Sequence, residues 1–290
     1  MTRSGRVAIV GRPNVGKSTL LNALLGEPIA ITSPHPQTTR DAVRGVLTVE
    51  DTQYVFVDTP GLHEPRSRLG HRMNDLAREE AREADALVLV VEPKADERDR
   101  ALAAELPKLP TVLAINKVDA LKDKTKLLPL LAELGAKGAF TAVVPISARR
   151  VNGVDRLLGE VRTLLPEQPF LFEADTLSDQ PTRFFVAELV REQILAHTRQ
   201  EVPHGVAVVV ERFDESGRVV LIELAIHVAR ESHKGILVGA RGAMLKRIGT
   251  AARARVEQML GRQVNLKLWV RATPDWMNDP AKLRELGYGT

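Results

Sequence analysis

The sequence predicts a doubly wound α/β domain with a mostly parallel sheet, followed by a smaller α+β domain. Three observations carry this. Short Val/Ile-rich runs, apolar on both faces, alternate with helical patterns over residues 1–165, as buried parallel strands do. A phosphate-cradling pattern, Gly11-Arg12-Pro13-Asn14-Val15-Gly16-Lys17-Ser18, follows the first run. Past residue 183 the pattern becomes helix, strand, strand, helix, helix, strand. At 290 residues the chain exceeds one ordinary core and suits two.

Arg6–Val10 reads as the first strand and Lys17–Leu25 as the helix after the phosphate loop. Ala42–Val49 reads as an antiparallel edge strand that turns through Glu50-Asp51-Thr52-Gln53 into Tyr54–Val57. A helix over Leu69–Glu83 and strands at Ala86–Val91, Val112–Ile115 and Ala142–Ile146 complete the first domain, placed at 1–166. From Pro166 through Pro181 there are three Pro, several acids and no period, which marks 167–182 as a linker. In the second domain, 183–290, Phe184–His197 looks helical. Val206–Val210 and Val219–Val228 read as strands joined by Asp214-Glu215-Ser216-Gly217, and a helix runs from Ala243 to about Leu260. Val264–Arg271 alternates, with Leu266, Leu268 and Val270 on one face and Lys267, Trp269 and Arg271 on the other.

Apolar residues make up 44% of the chain and charged ones 27%, an ordinary soluble composition. The absence of Cys excludes disulfides, thiolate metal sites and thiol catalysis, and suits a reducing cytoplasm. The seven His are scattered, without a close ligand pair. The N-terminus runs directly into a strand, leaving no room for a signal peptide, and no apolar run approaches a membrane span. A cytoplasmic monomer is expected.

The phosphate loop implies a nucleotide. Gly11 and Gly16 let backbone N–H groups turn inward at a helix N-terminus, with Asn14, Val15 and Thr19 alongside. Lys17 is expected at the β- and γ-phosphates, and the Ser18 hydroxyl on Mg²⁺. Asn116-Lys117-Val118-Asp119 says which nucleotide. A carboxylate at Asp119 accepts from both N1 and N2 of guanine, whereas adenine would leave it unpaired. Asp58-Thr59-Pro60-Gly61 ends a strand: Asp58 is expected to hold Mg²⁺ through a water, and the Gly61 N–H to meet the γ-phosphate. Of Thr38 and Thr39, Thr39 is the expected ligand of Mg²⁺ and γ-phosphate. Lys17, Thr39 and Gly61 thus form the expected catalytic set. Ser147-Ala148-Arg149 should offer backbone N–H groups to the guanine oxygen. Leu62 stands where Ras-type GTPases carry a water-orienting Gln, and an apolar side chain cannot do that. His63 is close enough to consider, although a loop His is more often inert. Asn14 is a candidate to hold K⁺ as an activator.

The second domain hides a charge asymmetry. Residues 230–271 hold ten basic side chains against two acids, Glu231 and Glu257. Such a stretch inside an otherwise acidic domain is a footprint for a polyanion. Gly239-Ala240-Arg241-Gly242 lies within it, before an amphipathic helix whose apolar stripe is Leu245, Ile248, Ala252, Val256 and Met259. A Gly-x-x-Gly in this element order reads as the RNA-clamping loop of a type II KH domain. Lys234, Gly239, Ala240, Arg241, Gly242, Lys246, Arg247 and Arg253 are the expected RNA-binding residues.

In motif order the chain resembles the bacterial GTPases with a hydrophobic residue at the catalytic Gln position. Gln37-Thr38-Thr39-Arg40 and the KH order point within them to the Era family, over essentially the whole chain. The resemblance implies a GTP-hydrolysing factor that binds the 3′ region of small-subunit rRNA during 30S assembly, at times peripherally on the membrane. A protein-binding or membrane-surface switch without RNA recognition is the alternative.

Overall fold

A computed structural model describes residues 1–94, 96–123, 127, 140–198 and 202–289. Two compact units emerge, Met1–Pro65 with Gly70–Asp179, and Gln180–Thr290 with Arg66–Leu69.

In the first unit, strands β1 (Arg3–Val10), β2 (Val43–Val49), β3 (Thr52–Asp58), β4 (Ala86–Val91), β5 (Thr111–Ile115) and β6 (Ala142–Pro145) form one sheet. Its order is β2-β3-β1-β4-β5-β6. All pairs are parallel except β2 with β3, where Val46 faces Val55. β3, β4 and β5 are buried at every position, which explains their lack of alternation. Helices α1 (Lys17–Leu25), α2 (Arg68–Arg82) and α3 (Glu97–Glu105) lie between strands, and α4 (Val154–Arg162) follows β6. α3 begins with a reciprocal cap between Asp96 and Asp99, which satisfies helix N–H groups that would otherwise be orphaned.

Residues 168–179, expected as linker, run back along the first unit. The Val46 N–H donates to Leu177 O at 2.9 Å, and Ser178 Oγ to Arg44 O at 2.5 Å. The buried Gln53 amide accepts from Leu171 N and Phe172 N and donates to Phe172 O. Arg44 reaches Asp179 at 2.8 Å. This stretch has no period because it forms neither helix nor strand. A buried amide and an open strand edge hold it instead, and both need backbone partners.

The second unit contains α5 (Thr182–His197), β7 (Val206–Asp214), β8 (Val220–Val228), α6 (Glu231–Val238), α7 (Ala243–Leu260), β9 (Val264–Ala272) and α8 (Pro280–Glu285). β7 and β8 are antiparallel, with a register shift between Val210 and Arg212, and β8 and β9 are parallel. Val186, Val190, Ile194, Ile222, Leu224, Ile248, Ala252 and Val256 share one core. Met259, expected in that apolar stripe, is 39% exposed, as it sits where α7 is about to end at Gly261. Trp269 is 41% exposed on the outer face of β9. Trp276 is fully buried, its indole N–H donating to Gly205 O at 3.1 Å.

Candidate nucleotide site and RNA-binding loop

The nucleotide motifs meet at the carboxyl ends of the parallel strands, where the helix N-termini of an open α/β sheet collect anions. The loop between β1 and α1 takes its shape from backbone that side chains resist. Gly11 has φ +151 and Gly16 φ +98; a Cβ on Gly11 would lie 2.5 Å from Val90 O, and one on Gly16 2.3 Å from Asn116 Nδ2. Gly61 packs so closely that a Cβ would lie 2.7 Å from Pro13 Cα. The Gly61 turn is therefore seated directly against the phosphate loop.

A cleft of about 700 Å³ opens above it. Asn14, Gly16, Lys17, Ser18, Thr19, Thr39, Gly61, Lys117 and Arg149 line it. Gly11, Val15, Asp58, Asn116, Ser147 and Ala148 lie buried behind them. Lys17 Nζ donates to Gly11 O at 3.3 Å and Arg12 O at 3.1 Å. Burial lowers its pKa to about 8, partly opposed by Asp58. The same burial pushes the Asp58 carboxyl up, offset by Lys17 and by hydrogen bonds from Ser18 and Thr39.

Asp58, Ser18 and Thr39 converge. Ser18 Oγ lies 2.6 Å and Thr39 Oγ1 3.1 Å from Asp58 Oδ2, and the two hydroxyls are 2.9 Å apart. Asp58 Oδ1 is buried without a hydrogen-bond partner among the described residues. One carboxylate and two hydroxyls, with an oxygen to spare, fit a hard cation that takes its other ligands from water and phosphate, as Mg²⁺ does. Thr38 is occupied elsewhere, donating to His35 O at 2.7 Å.

At the base end, the Asn116 amide ties two loops together. It donates to Val15 O at 2.8 Å and accepts from the Ala148 N–H at 3.0 Å. The Ser147 N–H goes to Asn152 O at 2.9 Å. Two of the three N–H groups expected at the guanine oxygen, those of Ser147 and Ala148, are thus engaged within the protein, and a guanine carbonyl would share the Ala148 N–H with Asn116. Asp119 Oδ1 accepts from Ser147 Oγ at 2.7 Å, and that bond holds its carboxyl below the usual range. Lys117, with φ +64, donates to Asn14 O and Glu92.

Leu62 does not face the cleft chemistry. Its side chain packs on the core formed by Ala8, Leu89 and Leu102, and its N–H donates to Gly11 O at 3.2 Å. His63 lies between Gln37 and Gly61. Several contacts escaped sequence reasoning, among them Lys117–Glu92 and Arg12 with Asp96 and Asp99 at 2.9 and 3.3 Å. They join residues 25 to 87 positions apart, and no local spacing encodes them.

In the second unit, Gly239 (φ +70), Arg241 (φ +51) and Gly242 (φ +80) form a left-handed turn between α6 and α7. Ala240 and Arg241 are exposed at its tip. Lys246, Arg247 and Arg253 line α7. Lys234 pairs with Glu231 at 3.4 Å, and Arg253 approaches Glu257 at 3.9 Å. Exposed pairs of this kind exchange readily with solvent or phosphate.

Fold and site together define a guanine-nucleotide GTPase domain joined to a KH domain. A profile described as a 50S ribosome-binding GTPase matches residues 6–117, and a KH-domain profile matches 201–277. The chain is 48% identical to GTPase Era of Lacticaseibacillus paracasei over 99% of its own length and 97% of that relative. It is 47% identical to GTPase Era of Geobacter metallireducens, over 99% and 98%. The structure matches a single-residue variant of Aquifex aeolicus Era bound to GDP·AlF4⁻ with a TM-score of 0.96 and 39% identity over the whole of both chains. It matches with the same TM-score of 0.96, at 38% identity and full coverage, an Era in complex with MgGDPNP and nucleotides 1506–1542 of 16S ribosomal RNA. This chain belongs to the GTPase Era family, and it hydrolyses GTP. No helix among the described residues is long and apolar enough to cross a membrane.

Proposed function

We propose that the chain couples its GTP state to the binding of single-stranded RNA near the 3′ end of small-subunit rRNA during 30S assembly. The observation that carries this reading is the left-handed Gly239–Gly242 turn, exposed at the head of the basic helix α7. A Cβ on Gly242 would meet open space, so the backbone there is bare to an approaching RNA phosphate, while Gly239 turns the chain where a Cβ would lie 2.7 Å from Met244 Cβ. Arg241, Lys246, Arg247 and Arg253 supply charge around the turn. A relative of the same family is bound to a 16S fragment, which supports the choice of RNA. Gly239→Asp with Gly242→Asp is expected to abolish binding of a labelled 3′-end 16S oligonucleotide while basal GTP turnover stays within about twofold. Unchanged RNA affinity and salt slope would refute the reading.

At the nucleotide, Lys17 neutralises developing charge on the β- and γ-phosphates, and the Gly61 N–H holds the γ-phosphate oxygen. Ser18 and Thr39 would hold Mg²⁺ directly and Asp58 would hold it through a water; the ion would supply Lewis-acid stabilisation of phosphate charge. Asp119 reads guanine, while Asn116 and Lys117 brace it against the phosphate loop. K⁺ is the proposed activator. Asn14 Nδ2 lies 3.2 Å from Pro34 O; a half-turn of that amide would give up this hydrogen bond and set Oδ1 beside the same carbonyl, two oxygens suited to a monovalent cation. Turnover in K⁺ should exceed that in Na⁺ at equal ionic strength, and Asn14→Ala should remove the difference. Equal rates in the two salts would dismiss K⁺.

A further inference from the structure

Where Leu62 turns into the core, the next residue makes a bridge. His63 Nδ1 lies 2.9 Å from Gly61 O. A carbonyl only accepts, so Nδ1 carries the proton and, in the neutral ring, Nε2 is left as an acceptor. The Gln37 side-chain amide sits 2.7 Å from that Nε2. Gln37 itself has φ +62, a conformation costly for a side-chain-bearing residue. It lies two residues before Thr39, whose hydroxyl faces Ser18 and Asp58. The backbone of His63 is fixed from the other side. Asn74 on α2, only 5% exposed, donates to His63 O at 2.7 Å and accepts from His63 N at 3.4 Å.

We propose that Asn74, His63 and Gln37 form a latch that closes the Thr39 loop onto the Gly61 turn. These are positioning residues. Asn74 anchors His63 to a rigid helix, and His63 holds Gln37, whose strained backbone needs an external tie. Gln37 in turn sets the distance between Thr39 and Gly61, the two groups that meet the γ-phosphate. The bulk of nucleotide binding comes from the phosphate loop and from Asp119, which the latch does not touch. Its loss should therefore lower kcat and leave KM nearly alone, because small misplacement of reacting groups costs rate. The inference rests on GTP hydrolysis at this site. Wild-type turnover, measured in the same series, separates a failure of that premise from a failure of the latch.

The test is a double-mutant cycle of His63→Phe and Gln37→Ala in single-turnover GTP hydrolysis, with GDP affinity and thermal midpoint measured on each variant. Phe keeps ring volume and removes both nitrogens. Each single variant is expected to lose about tenfold in rate with KM within about threefold, and the double variant to lose no more than either single one. Asn74→Ala should fall in the same range and add nothing to His63→Phe. Multiplicative losses, unchanged kcat, or a rise in KM alone would overturn the latch. If His63→Phe lowers the thermal midpoint, the pair Gln37→Ala and Asn74→Ala decides. Each acts only through His63, so additivity between them alone also overturns it.

Discussion

The two units bind anions by opposite means. In the first, polar groups are buried and already engaged with one another. Lys17, Asp58, Asn116 and Ser147 are all under 7% exposed, and each has a defined partner. In the second, Arg241, Lys246, Arg247 and Arg253 lie at the surface, and the ion pairs present there are exposed ones. A buried, pre-paired site discriminates by the cost of leaving a partner unmatched. An exposed basic face discriminates little and draws its affinity from counterion release. The phosphate-loop site and the open basic face therefore differ in burial as much as in motif.

The sharpest way to break this contrast is at Asp119. Asp119→Asn replaces an acceptor with a donor where guanine offers donors. The preference for GTP over xanthosine triphosphate should fall on the order of 10³-fold, read in a competition assay. Next in size is a pair of glycine replacements. Gly11→Ala drives a methyl into Val90 O and should cost about 3 kcal/mol in denaturant unfolding, with nucleotide binding lost. Gly242→Ala meets open space and bears only the strain of φ +80, so about 1 kcal/mol is expected, with GTP turnover intact. Equal costs would erase the distinction between the sites. Lys246→Ala should reduce the salt slope of RNA binding by about 0.7, and no GTP parameter should change.

The smallest effect is a proton. Burial lowers the Lys17 pKa from its ordinary 10.5 to about 8, with Asp58 partly opposing. Phosphates favour the ammonium form, so nucleotide binding at pH 9 should take up nearly one proton and at pH 7 about a tenth or less. Calorimetry in buffers of different ionisation enthalpy measures this. GTP affinity should accordingly weaken as pH rises above 8. For folding the sign is reversed: between about 8 and 10.5 the unfolded chain holds more protons at Lys17, so its contribution to stability rises with pH.

Much of this was legible because the relevant constraints are local. Strand β4, helix α1 and the loop from Gly11 to Ser18 are set by burial and by backbone geometry that the sequence writes contiguously. No pattern in the sequence separates Thr39 from Thr38; in the structure Thr38 spends its hydroxyl on His35 O, while Thr39 Oγ1 lies 3.1 Å from Asp58 Oδ2. The sequence was silent where a residue's role depends on a distant partner. Gln53 gives no sign that it will hold Phe172, nor Asn74 that it will hold His63. Leu62 announced a missing water-orienting side chain, but not that its own side chain would turn into the core.

The hold of residues 168–179 on the first unit has a consequence for how the chain is made. β2 is an edge strand, and an uncovered edge invites pairing with another chain. The Val46 N–H is claimed by Leu177 and the Arg44 carbonyl by Ser178. More than a hundred residues must be synthesised after β2 before that cover exists. During translation the nascent domain therefore carries a strand edge open to a neighbouring chain, and a chain stopped short of Ser178 would keep it open permanently.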